Sequence, residues 1–295
     1  MEEADRADGP WEHRLLAANG ARFHLAVAGS GRPVVLVHGF PGYWWTWREV
    51  LPALAEAGFR AIAVDVRGFG GSDKPPGGYD LGTAVADLAG ITRSLGEERA
   101  VFVGHGLGAW TVRHLGVFAP AVAAAIALVS PPSPSRLHPY AAPGPHLGVR
   151  RYERALQLSP GREPGSGPSL ESEVERVLRV GSASTDWITP EVIARHTAAV
   201  NQPFVAHARK ECFDRLRPGA SERRAIRARP TIAVPLLLAH GARDPVVPLP
   251  QALGVTSAAV GPIRVEIIPD AGHFVPEEAP GALSRALIDW LGHAD

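Results

Sequence analysis

The chain has 295 residues, 45% of them hydrophobic, and its 30 Lys and Arg balance 30 Asp and Glu. With no basic stripe and no acidic tail, nucleic acid and strongly charged partners are not expected. The length suits one large domain, or a core with an inserted cap. The single Cys212 excludes an internal disulfide framework and fits a reducing cytoplasm, where the chain is expected to reside. Its polar, acidic start (Met1, Glu2, Glu3) is unlike a signal peptide, and no apolar run reaches the length of a membrane span.

In chain order, residues 11–16 and 21–27 predict two short strands joined by a turn at Asn19-Gly20. The β-branched run 34–37 predicts a buried parallel strand ending in His38-Gly39-Phe40-Pro41-Gly42. A helix is predicted over 44–57, then a strand over 60–65 leading into Arg67-Gly68-Phe69-Gly70-Gly71-Ser72-Asp73. Residues 83–95 predict a helix with Ala84, Leu88 and Ile91 on one face. A strand over 101–103 meets the turn Gly104-His105-Gly106-Leu107-Gly108, and a helix follows over 107–118. Another apolar strand is predicted over 122–129.

Strands alternating with helices predict an α/β fold with a doubly wound, mostly parallel sheet. The alternation stops over residues 131–231, rich in Pro, Gly and Arg, with candidate helices at 172–180, 190–200 and 203–216. Residues 159–169 predict a Gly/Pro/Ser-rich loop. We read 131–231 as a helical cap inserted into a core formed by 1–130 and 232–295. Strand signals resume at 234–239 and 264–268, and a last helix is predicted over 277–291.

The strand–turn–helix at 101–118 is the setting of a nucleophile elbow, Gly-x-Ser-x-Gly, whose central residue attacks the substrate. Here the centre is Gly106, which has no side chain. Three other loops follow strands. The turn at His38–Pro41 can aim the Phe40 N–H at the elbow and, with the Leu107 N–H, form an oxyanion hole. Asp244, in Gly241-Ala242-Arg243-Asp244-Pro245-Val246-Val247, can orient a histidine, and His273 is a candidate base. Each loop alone reads more readily as a turn, a helix cap or a surface histidine. Together they stand in the order elbow, acid, histidine.

That order, His38-Gly39-Phe40-Pro41, the run Tyr43-Trp44-Trp45-Thr46-Trp47 and Asp65-x-Arg67-Gly68-Phe69-Gly70-x-Ser72-Asp73 resemble the α/β-hydrolase superfamily. The likeness is greatest to its epoxide hydrolase and haloalkane dehalogenase-like branch, which carries Asp-Trp where this chain has Gly106-Leu107. The resemblance implies His273 as base, Asp244 as its orienting acid, and Phe40 and Leu107 as the hole. It carries over no nucleophile. Loss of the triad in a serine hydrolase lowers kcat about a millionfold, roughly 8 kcal/mol. Chemistry needing only a base and an anion hole remains open.

The expected partner is a small apolar molecule, with no metal and no cofactor. Its pocket is expected around His38, Trp44 and Val246, with Trp187, Tyr140 and Tyr152 from the cap. His105 is expected to point into the packing, and Ser130, ending its strand, is a weaker substitute for the nucleophile. Two functions follow: hydrolase-like or base-catalysed chemistry on a small apolar substrate, or a catalytically inactive relative that binds a ligand or partner.

Overall fold

A computed structural model describes residues 7–132, 168–215 and 231–293. Eight strands form one sheet: β1 (Glu12–Ala18), β2 (Ala21–Ala28), β3 (Arg32–Val37), β4 (Phe59–Val64), β5 (Ala100–His105), β6 (Ala123–Val129), β7 (Leu236–Gly241) and β8 (Ile263–Ile268). Their order is β1-β2-β4-β3-β5-β6-β7-β8. β1 and β2 pair antiparallel, β2 also runs antiparallel to β4, and the other neighbours are parallel. The expected α/β fold with a mostly parallel sheet is therefore present.

The central strands β3, β5, β6 and β7 are almost wholly buried because apolar layers cover both faces. Leu36, Val103 and Ala127 belong to one layer, and Val37, Phe102 and Leu128 to the other. Alternation along each strand divides its side chains between the two.

The helices are α1 (Val50–Glu56), α2 (Leu81–Ser94), α3 (Leu107–Phe118), α4 (Leu170–Gly181), α5 (Pro190–Val200), α6 (Val205–Arg215), α7 (Leu249–Leu253), α8 (Val275–Glu278) and α9 (Pro280–Leu291). Asp80, Ser169 and Thr189 cap α2, α4 and α5 through their side chains. Two expected helices are each divided. Residues 44–47 form a 3₁₀ turn and α1 begins anew at Val50, where Pro52 falls in the first turn and its missing N–H costs nothing. Likewise Pro280 opens α9 and holds Ala279 out of the helical region, with φ −140°. Helices α4 to α6 lie within the segment expected to be a cap. No helix among the described residues is long and apolar enough to cross a membrane.

Candidate active site

The turn after β5 places Gly106 at φ 53°, ψ −116°, a conformation that glycine adopts without a Cβ penalty. Its N–H donates to the Val129 carbonyl at 3.0 Å, fixing the tip beside the end of β6. The flanking glycines are required by close approach. A Cβ on Gly104 would lie 2.4 Å from the Gly108 oxygen, and one on Gly108 would lie 2.2 Å from the Val37 oxygen. Strand β5, helix α3 and the end of β3 therefore meet backbone to backbone.

The same closeness brings in the next turn. A Cβ on Gly39 would stand 2.9 Å from the His105 oxygen and 3.4 Å from the Leu107 nitrogen. The chain carrying Phe40 thus abuts the first turn of α3, whose leading N–H groups have no carbonyl partner within the helix. Phe40 is buried, its ring edge-on to Phe69 and Phe213, and its bond to Pro41 is cis.

Asp244 and His273 come from the loops after β7 and β8. His273 Nδ1 lies 2.9 Å from Asp244 Oδ2, and both side chains are buried. Asp244 Oδ1 accepts the N–H groups of Val246 at 2.7 Å and Val247 at 2.9 Å. Burial alone would push the Asp244 carboxyl up. The His273 ring, its hydrogen bond, His240 and the Val247 N–H outweigh this and hold it below the ordinary value. Asp244 is therefore an acceptor, so His273 Nδ1 is the donor, and neutral His273 carries its lone pair on Nε2.

Contacts that sequence reasoning missed hold this histidine. His105 Nε2 donates to the His273 carbonyl at 2.8 Å, so His105 reaches across the site as well as into the packing. Burial and the neighbouring His273 bring the His105 ring down to about 3, which keeps it neutral. The His273 N–H donates to the Gly181 carbonyl at the end of α4, at 2.8 Å. Glu278 accepts from the N–H groups of Gly272, Phe274, Ala183 and Ser184 and so ties the His273 loop to the same segment. No motif announces Glu278, because its partners are backbone amides up to 95 residues away.

The remaining expected residues are dispersed. His38 is buried: its Nδ1 donates to the Gly39 carbonyl and its Nε2 accepts from the Val66 N–H, with burial holding the ring below its ordinary value. Trp44 is fully buried. Its ring packs against Trp11 and His13, and its backbone N–H donates to Asp65 at 2.7 Å. Val246 is buried beside the acid it holds. Trp187 stands 5.8 Å from the Phe274 ring, and its buried Nε1 has no hydrogen-bond partner among the described residues. Tyr140 and Tyr152 lie outside the described residues. Ser130 is fully buried at φ 45°, its hydroxyl without a hydrogen-bond partner among the described residues. No group of three His, Cys, Asp or Glu among the described residues is placed to hold a metal ion.

The arrangement offers an oriented histidine, a carboxylate behind it and a helix N-terminus, all at the carboxyl edge of a parallel sheet, where such folds bind ligands. A family model described as alpha/beta hydrolase fold matches residues 32–280. Epoxide hydrolase A of Mycobacterium tuberculosis is 32% identical over 317 residues, spanning 94% of this chain and 96% of that protein. Epoxide hydrolase 3 of Xenopus tropicalis is 30% identical over 97% of this chain and 78% of its own length. Among solved structures, epoxide hydrolase A from Mycobacterium thermoresistibile is similar with a TM-score of 0.73, at 28% identity, over 97% of this chain and 99% of that one.

Proposed function

We propose a function from one premise: the chain belongs to the alpha/beta hydrolase fold family, with epoxide hydrolases among its relatives. The function is hydrolysis of a small apolar substrate, an epoxide or an activated ester, without a covalent enzyme intermediate. The observation that carries it is the buried Asp244–His273 hydrogen bond on the same sheet edge as an elbow tip, Gly106, that has no side chain. In this reading the attacking water stands where a nucleophile would otherwise project.

His273 Nε2 takes a proton from that water, while Asp244 holds the ring in register and stabilises the imidazolium. The hydroxide forms a bond to the epoxide carbon as the ring C–O bond breaks. The departing oxygen, now an alkoxide, is held by the Phe40 and Leu107 N–H groups at the positive end of α3. It then receives the proton from the imidazolium, giving a diol and neutral His273. The same base and hole would stabilise an enolate if the substrate instead carried an acidic C–H.

The test is diol formation from styrene oxide by the wild type, His273→Ala and His273→Gln. Both variants should lose about 10²–10⁴-fold in kcat, the usual worth of a general base. His273→Ala also deprives a buried carboxylate of its partner, at a cost of about 3–5 kcal/mol. His273→Gln retains a donor and separates lost chemistry from lost folding. Undiminished turnover in both variants rules out the base. The vacant tip also favours a second reading, a ligand-binding protein of the same fold, which predicts a thermal shift with these compounds and no turnover by the wild type.

A further inference from the structure

Helices α2, α3 and α6 enclose a cavity of about 80 Å³ that reaches the Phe40 turn and the start of α3. Its walls include Phe23 and Val64 from the sheet, Leu88 and Ile91 from α2, Thr111 from α3 and Cys212 from α6. Phe40 and Leu107 also line it, whereas His273, Asp244, Val246 and Trp187 do not. It is therefore distinct from the wall that carries the dyad, yet it shares the two residues whose amides form the proposed hole.

The polar side chains of its described walls are already engaged. Both His38 nitrogens have backbone partners. Arg67 and Asp87 pair at 2.6 and 2.8 Å and neutralise one another. The Tyr79 hydroxyl donates to the Pro75 carbonyl, and Thr111 Oγ1 to the Leu107 carbonyl. Burial pushes the Cys212 thiol up to about 12, so it carries no charge. None of the unpartnered buried side-chain atoms among the described residues belongs to this lining. A single water needs about 10–15 Å³ and two to four polar partners. Here the space is ample and the side-chain partners are spent, which favours a hydrocarbon over water along these walls and offers an ammonium nothing to pair with.

We infer that this cavity receives the uncharged hydrocarbon body of the substrate, a single ring or a branched chain of similar size, while its reacting oxygen lies at the Phe40 and Leu107 amides. The identity of the occupant rests on the hydrolase reading above; occupancy by an apolar molecule does not. Selectivity then follows from the wall: compact neutral rings fit, and cationic analogues of equal size are refused.

The test uses ethylbenzene, which cannot react, with 2-phenylethylammonium as its charged counterpart. Two variants fill the cavity from different walls, Ala84→Phe on α2 and Cys212→Phe on α6, so that if one fails to fold the other decides. Ethylbenzene should raise the wild-type Tm and 2-phenylethylammonium should not, because only a ligand of the folded state shifts the equilibrium. The shift should vanish in the filled variants, and KM for styrene oxide should rise about tenfold there while kcat stays within about twofold. An ethylbenzene shift that is absent from the wild type, or that persists in the folded variants, overturns the inference. A filling-sensitive shift without turnover keeps the cavity and removes the hydrolase reading. Turnover that needs His273 but ignores the filling does the reverse.

Discussion

Ser130 spends stability that the fold does not recover in contacts. Its φ of 45° is unfavourable for a residue with a Cβ, and its buried hydroxyl has no partner among the described residues. Relieving such a conformation returns about 1–3 kcal/mol, against roughly 0.5–1 kcal/mol lost to the extra freedom of an unfolded glycine. Ser130→Gly should therefore raise Tm by a few degrees, readable by calorimetry. A lower Tm would mean that the hydroxyl is bound and the strain is compensated. At this scale the sequence was informative where chemistry follows residue type. Asp244 and His273 could be proposed from their loops. It was uninformative where geometry decides: nothing in Tyr43-Trp44-Trp45 indicates that the Trp44 backbone N–H donates to the buried Asp65 carboxylate.

Elements were legible wherever an apolar run was unbroken. The buried parallel strands and α3 could be read directly, because nothing else in a soluble fold requires such runs beside Gly-rich turns. The divided helices at Pro52 and Pro280 were also written in the chain, in residues that cannot continue a helix from the preceding turn. What could not be read was the join between elements. Glu278 on α8 collects four backbone N–H groups, two from the His273 loop and two from Ala183 and Ser184. Burial pushes its carboxyl up, an effect those four donors only partly offset. Replacing it by Ala strands buried donors at about 1–3 kcal/mol each. Glu278→Ala should lower Tm and speed hydrogen exchange at Gly272 and Phe274 ahead of the sheet amides. Exchange at those two positions that keeps the wild-type rate would contradict the anchoring role.

Across the whole molecule, burial sets the response to acid. His38, His105, His114 and His240 all lie below their ordinary value of 6.5, chiefly through desolvation, with His105 near 3 and His114 near 4. Between those values and 6.5 the unfolded chain binds protons that the folded chain refuses. Their contribution to stability is complete above about 6.5 and is lost as the pH falls. The depressed carboxyls of Asp65, Asp244 and Glu277 act the same way lower down. Their contribution is present above their ordinary values, 3.8 for Asp and 4.5 for Glu, and disappears as the pH falls through the folded ones. Tm should thus decline steadily from pH 7 to pH 5, above the range in which these depressed carboxyls titrate, and His114→Leu should flatten that slope. A Tm independent of pH over this interval would contradict the assignment of neutral buried histidines.

The site itself is a property of the whole sheet, since its parts come from the ends of β3, β5, β7 and β8. We propose that these ends stand in register around a tip that lacks only a side chain. Gly106→Ser supplies one. The turn is shaped for it, at a strain of about 1–3 kcal/mol, and the new hydroxyl should fall within about 2.6–3.2 Å of the His273 ring. The most direct measurement is intact-protein mass spectrometry after incubation with a fluorophosphonate. One covalent adduct is expected on Gly106→Ser and none on the wild type or on Gly106→Ser combined with His273→Ala. A Gly106→Ser protein that melts like a folded wild type yet never takes the label would show that His273 or the Phe40 and Leu107 amides do not face the tip.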